Sequence, residues 1–112
     1  MHVITTVMCH PDQEPVVVQV ENSLAALQKA VEGNIEIFHL FENDVALITN
    51  EDGKLLRLPV NKVLLDKRGN PIDVLVGTIL VVGTKNDEII SIPNEKISKY
   101  IDVLNDLYIR LS

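Results

Sequence analysis

Val45-Ala-Leu-Ile-Thr-Asn50-Glu-Asp-Gly53-Lys-Leu-Leu-Arg57-Leu-Pro59-Val-Asn61-Lys62-Val-Leu-Leu65-Asp-Lys-Arg68-Gly69-Asn70-Pro71-Ile-Asp-Val-Leu-Val-Gly77-Thr-Ile-Leu-Val-Val-Gly83 is the stretch that decides the fold. It alternates short runs of β-prone apolar residues with turn formers. Asp52-Gly53, Pro59, Arg68-Gly69-Asn70-Pro71, Gly77 and Gly83 punctuate it. Such a chain folds back on itself as a sheet of short strands. Val45–Thr49 and Leu55–Leu58 read as strands around the Asp52-Gly53 turn. Val63–Leu65 and Ile72–Val76 flank a longer hairpin loop. Thr78–Val82, apolar throughout, reads as a buried strand.

Upstream, Val3–Cys9 and Val16–Val20 read as an antiparallel pair around the turn at His10-Pro11-Asp12-Gln13. Asn22 or Ser23 is placed to cap a short helix whose inner face is Leu24, Leu27, Ala30 and Val31. Gly33 falls where a left-handed C-cap is wanted. Ile35–Phe41 has apolar residues on both faces, which predicts a central strand. Downstream, Lys85-Asn86-Asp87 is a turn and Glu88–Ile92 a short strand. From Asn94, a good N-cap, the spacing of Ile97, Ile101, Leu104, Tyr108 and Leu111 predicts one long closing helix. The expected fold is α+β: a small, curved, mostly antiparallel sheet of short strands, one short helix, and a long C-terminal helix packed on it.

At 112 residues the expectation is a single domain over residues 1–112. Hydrophobic residues make up 46% of the chain but aromatics only 4%, without Trp, so the core must be aliphatic. A base-stacking platform has too few rings to form. The formal charge of −6 repels phosphate backbones, so direct nucleic-acid binding is not expected. Five of the ten Lys and Arg nevertheless fall between Lys54 and Arg68. Charge runs of this kind usually form a solvated rim; the functional alternative is an edge that faces an anion or a partner.

A single cysteine, Cys9, fits a reducing compartment. The N-terminus lacks the pattern of a secretory signal, and no apolar run reaches the ~18 residues of a membrane span. The expectation is a cytoplasmic protein with no membrane association.

No catalytic or metal constellation emerges. His2, Cys9, His10 and His39 lack the spacing of a zinc site, and adjacent Cys9 and His10 point to opposite faces of a strand. Cys9 could meet His39 across a sheet, but no oxyanion donors or third orienting group accompany them; a strand cysteine is ordinarily a small core residue. Gly77 to Lys85 has five residues between its glycines and no Ser or Thr after Lys85, so it is not a phosphate loop. Glu36, Glu42 and Asp44, like Asp66 and Asp73, are turn-flanking acids. No cofactor is expected.

Taken together, Ala46–Lys62, Leu65–Gly69, Ile72-Asp73 and Gly77-Thr78 running into Val81-Val82-Gly83 resemble domain of unknown function 3846. This is a family of small proteins of Gram-positive phages, plasmids and conjugative elements. Glu21–Leu24, Leu27-Gln28 and the closing helix extend the likeness over nearly the whole chain. The distinctive element is Leu58-Pro59-x-Asn61-Lys62, where the family pattern has Pro-x-Asn-Arg. Lys62 offers a point charge in place of a bidentate fork. Ile72 and Ile79 stand where the family tends to carry aromatics.

The resemblance, small size and lack of a catalytic set imply a non-enzymatic accessory protein of a mobile element that binds a host protein. The alternative is a protein that sequesters a nucleotide or similar anion at Arg57, Asn61, Lys62 and Arg68. Asn61 equally suits a loop cap bonded to local backbone. The closing helix leaves homodimerisation open.

Overall fold

A computed structural model describes residues 2–111. Its order is β1 (Val3–Cys9), β2 (Val16–Glu21), α1 (Leu24–Val31), β3 (Ile35–Phe38), β4 (Val45–Asn50), β5 (Val60–Leu65), β6 (Pro71–Val76), β7 (Ile79–Lys85), β8 (Glu88–Ile90), α2 (Ile97–Asn105) and β9 (Tyr108–Arg110). The strands form two sheets where the sequence suggested one. The larger runs β2-β1-β7-β4-β3, with β8 also on β7, and is antiparallel throughout. The smaller runs β6-β5-β9, and its β5–β9 pair is parallel.

Strand alternation sorts the core into two layers. Val7, Cys9, Val45, Leu47, Ile79 and Val81 point from the larger sheet toward the smaller one and α2, meeting Leu64, Leu75, Tyr100, Leu104 and Ile109. Ile4, Ala46, Ile48, Leu80 and Val82 point the other way, onto Leu27 and Val31 of α1. The larger sheet is thus sandwiched, which is why β4 is buried at all six residues. Continuous burial explains the unbroken apolar runs in β4 and β7.

Four expectations need correction. The segment starting at Ile35 is an edge strand and stops at Phe38, since β4 and β7 hold the centre. His39 beyond it aims its Nδ1 at the Val45 carbonyl, 2.9 Å away. Residues 55–57 belong to a turn and Leu58 follows it outside any strand, its N–H donating to the Gly53 carbonyl at 3.0 Å, where a strand over Leu55–Leu58 was expected. The closing helix is a three-residue 3-10 turn, Asn94–Lys96, followed by the nine-residue α2. Asn94 provides no side-chain cap there. Beyond Asp106, which is extended, the chain becomes β9, because pairing with β5 satisfies its backbone and buries Ile109. Tyr100 and Leu104 of α2 pack into the chain's own core, with Ile97, Ile101 and Val103 partly buried against it.

The fourth correction concerns the end of α1. Ser23 caps its start, accepting from Ala26 N–H at 3.1 Å. The left-handed residue at its C-terminus is Glu32, at φ 62°, and not Gly33. Gly33 is needed for space: a Cβ there would meet the Asn50 side chain. That amide donates to the carbonyls of Val31 at 3.1 Å and Glu32 at 3.3 Å, satisfying the helix end.

Candidate functional site

The four residues singled out in the basic run do not converge. Arg57 lies at the end of the 51–57 turn with φ 57°, near the Val60 end of β5. Arg68 sits on the tip of the hairpin that follows Leu65, where Asp66 accepts its backbone N–H at 2.9 Å. The full length of β5 separates them, roughly 20 Å at strand rise. Lys54 is paired with Asp73 on the surface, an exposed bridge of small energetic weight.

Asn61 and Lys62, in contrast, come together inside. The register of β5 against β6 shifts between Val60 and Lys62, so Asn61 is an extra residue. Such a bulge puts two consecutive side chains on one face. Both turn inward, with 3% and 6% of their surface exposed. The amide of Asn61 donates to the Cys9 carbonyl at 2.9 Å and to the Gly77 carbonyl at 2.8 Å. It therefore ties β5 to β1 and to the turn before β7. The sequence reading of Asn61 as a loop cap on local backbone differs from this arrangement: the residue lies in β5 and its partners are 52 and 16 positions away.

Lys62 lies beside the Cys9 thiol. That thiol is fully buried, 3.5 Å from the Gln13 carbonyl and 3.8 Å from that of Leu104. Burial pushes it above its ordinary range, with Lys62 opposing the rise, so it is protonated at neutral pH. A buried thiol bonded to carbonyls is inert packing and not a nucleophile. His39 does not approach it; the ring is held by the Val45 carbonyl.

Lys62 forms part of the lining of a cavity of about 280 Å³ beneath the loop that joins β1 and β2. The sequence carried a faint signal of this inward turn. Asn61-Lys62 interrupts the apolar pattern between Val60 and Val63, the mark of a bulge. The adjacency to Cys9 had no local signal, because the two are 53 positions apart.

A second polar cluster staples α2 to the connection between β3 and β4. Glu42 accepts from Tyr100 Oη at 2.6 Å, Lys96 Nζ at 2.8 Å and Lys99 Nζ at 3.1 Å. Asp44 accepts from the same Lys96 at 2.7 Å. The bond from Lys96, then that from Tyr100, holds the Glu42 carboxyl down to about 2. Burial, reinforced by the bond to Glu42, pushes the Tyr100 hydroxyl far above its ordinary range. Each charge here is matched, so the cluster is a structural clasp. Among the described residues no group of three or more His, Cys, Asp or Glu is arranged to hold a metal ion. Nor is any helix long and apolar enough to cross a membrane.

The outer face of the smaller sheet is a third feature. Tyr108, Val63 and Val74 form a row across β9, β5 and β6 by register. Val60 and Ile72 flank it, and Leu55 and Leu56 protrude from the turn before β5. Of the twelve exposed large apolar residues among the described residues, five, Leu55, Leu56, Val60, Ile72 and Tyr108, belong to this sheet and that turn. Leu55 is 84% exposed and Tyr108 57%. Scattered apolar residues are normal on a surface; here they gather on one sheet and the turn before it.

No curated protein and no solved structure matches the chain. One family model does, that of "Domain of unknown function (DUF3846)", over residues 4–105. The match runs from Ile4 in the first strand to Asn105 at the end of α2, and so spans the larger sheet, both helices and the bulged strand that carries Asn61 and Lys62. On that coverage the chain belongs to the DUF3846 family.

Proposed function

We propose that the protein is a non-enzymatic binding module that docks a partner polypeptide on the outer face of its smaller sheet. The observation that carries this reading is the row Tyr108–Val63–Val74 with Val60, Ile72, Leu55 and Leu56 around it. A central apolar patch with one exposed tyrosine is the composition of a recognition face. The matched charges of the Glu42 clasp and the inert Cys9 leave the polar clusters without a reactive group, which supports binding over catalysis. The likeness to small proteins of mobile elements makes a host protein in the cytoplasm the partner of this reading.

A nucleotide at the basic run has less support. Arg57 and Arg68 lie at opposite ends of β5, too far apart to grip one phosphate chain with Lys62.

Affinity capture from host lysate tests the docking face. The wild-type chain and a Val60→Lys/Tyr108→Lys variant are run side by side, with circular dichroism to check that the fold persists. A stoichiometric polypeptide held by the wild type and lost from the variant is the expected result. Equal retention by the folded variant removes this face from consideration, and no retained polypeptide at all removes the binding-module reading.

A further inference from the structure

The larger sheet ends on β2, and the outer edge of that strand is uncovered. The Asn22 N–H donates to the His2 carbonyl at 2.8 Å, in the same register that pairs Ile4 with Val20 and Thr6 with Val18. Even-numbered residues of β2 therefore bond to β1, and the backbone N–H and C=O groups of Val17 and Gln19 point outward. The Val18 carbonyl agrees, since it faces β1 and accepts from Thr6 Oγ1 at 3.0 Å. Val16 and Val17 are 47% and 46% exposed. Outer strands ordinarily carry devices that discourage pairing: charges, prolines, bulges or short length. The other outer strands have them. β3 is four residues long with Glu36 inside it, β6 begins at Pro71 and carries Asp73, and β9 has three residues. In β2 the run Val16-Val-Val-Gln-Val20 is uncharged, contains no proline, and keeps one register against β1.

A bare edge accepts extended chains in general, so the occupant is selected by how well backbone and side chains match. β2 matches itself. Laid antiparallel on a second copy about a two-fold axis at Val18, Val17 falls opposite the partner's Gln19, and Gln19 opposite the partner's Val17. All four are outward residues, so each pair exchanges two ladder bonds. On the face that carries α1, Val18 meets the partner's Val18, Val16 meets the partner's Val20, and Val20 the partner's Val16. Val18 and Val20 are only partly buried against the α1 side of the core, and the second copy extends their cover. The charges stay apart: Glu21 falls opposite the partner's Pro15, and Glu14 opposite the partner's Asn22. No like charges face each other across the seam, although each chain carries −6. Neighbouring registers fit worse. An axis at Val17 sets the Gln19 carbonyl against the partner's Pro15, which has no N–H to give. An axis at Gln19 sets Val16 against the partner's Asn22.

We infer that the chain forms a two-fold dimer by antiparallel pairing of β2 with β2 of a second copy, which joins the two larger sheets into one. The inference is independent of the docking face, which lies on the smaller sheet. One strand pair is a small interface, so the dimer is weak and depends on concentration.

Sedimentation velocity of the full chain from about 1 to 500 μM tests it, a range set around micromolar dissociation. The expected result is a shift from monomer to dimer across the series. Val17→Pro removes an outward N–H from each copy and leaves the ladder to β1 intact, so a proline is tolerated there by the lone chain. That variant is expected to stay monomeric, with circular dichroism checking its fold. Val60→Lys/Tyr108→Lys is expected to dimerise like the wild type. The register has its own readout. Val18→Cys faces its own copy at a Cα separation of about 4.5 Å, within disulfide reach, whereas Val16→Cys does not face itself. With oxidised glutathione as the oxidant, Val18→Cys is expected to cross-link roughly tenfold faster than Val16→Cys or more. Buried Cys9 is common to both variants. A wild type that stays monomeric throughout overturns the inference. So does a folded Val17→Pro variant that dimerises as before. Loss of the dimer in Val60→Lys/Tyr108→Lys overturns it too, by moving the contact to the smaller sheet. If Val17→Pro does not fold, the cross-linking decides, and equal rates for the two cysteine variants overturn the inference.

Discussion

Asn61 shows how one side chain can hold two strands and a turn. Its two N–H groups satisfy the carbonyls of Cys9 and Gly77, both in the interior. An apolar replacement leaves both carbonyls buried without a donor, each costing about 1–3 kcal/mol. Asn61→Leu is expected to lose roughly 2–4 kcal/mol in urea denaturation. Asn61→Asp also removes the double donor, so a loss of similar size is expected there. A second residue works in the other direction. Glu32 occupies a left-handed conformation that costs an L-residue roughly 1–2 kcal/mol. Glu32→Gly is expected to raise stability by about 0.5–1 kcal/mol, because Gly removes that strain but adds unfolded-state freedom. An unchanged or lower urea midpoint counts against that account. At this scale the sequence was partly legible. The cap was legible to within one position: the sequence offered Asn22 or Ser23, and Ser23 is the residue that caps. Gly33 pointed to the right turn but one position late, because its real constraint is contact with Asn50, a residue 17 positions away.

The clasp between α2 and the β3–β4 connection makes a prediction at the scale of elements. Glu42 titrates near 2 in the folded chain against an ordinary value of 4.5. A carboxyl depressed by folding contributes its full stability above its unfolded value and loses it as pH falls toward the folded one. The urea midpoint is therefore expected to hold steady down to about pH 5 and to drop between about pH 4.5 and 2. Glu42→Gln flattens that drop and lowers the plateau at neutral pH. A variant with the wild-type acid profile would assign the drop to other acids. Tyr100→Phe removes one of the bonds but keeps the packed ring, and is expected to cost about 1–2 kcal/mol. Element types were legible wherever burial was simple. β1, β2 and the body of α1 follow directly from their patterns, and β7 was legible as a buried strand, though it continues through Gly83 to Lys85, past the end at Val82 that the sequence suggested. The helix-to-strand change after Asn105 was not legible. Tyr108 and Leu111 continue the helical spacing, while Ile109 alone carries the strand's burial. Pairing with β5 settles that competition, and no local propensity records it. The basic run between Lys54 and Arg68 was equally opaque as a site. Its one inward charge depends on a bulge, and its arginines depend on where the two turns lead.

For the molecule as a whole, the two-layer core rests on β7 and on β9. β7 carries both core faces, and β9 completes the smaller sheet with Ile109 inserted below it. Ile109→Ala is expected to cost about 2–5 kcal/mol as a buried large-to-small change, although it lies beyond the stretch matched by the family model. A loss below about 1 kcal/mol would mean that β9 is dispensable. The fold class and the aliphatic core were readable from composition and pattern, but the division into two sheets was not. That division depends on the β5–β6 hairpin pairing with β9 and not with a strand of the larger sheet, a long-range choice that short strands do not encode individually. The central place of β7 also orders events in time. Val7 pairs with Val81, and Leu47 with the same residue from the other side. During synthesis at roughly 5–20 residues per second, β1 waits about 4–15 s for its neighbour to leave the ribosome. Through that interval the β1–β2 and β3–β4 hairpins each present an unsatisfied edge to the cell. The hazard of misassembly is therefore set by the pace of translation between the two halves of the larger sheet, before the finished fold has any stability to offer.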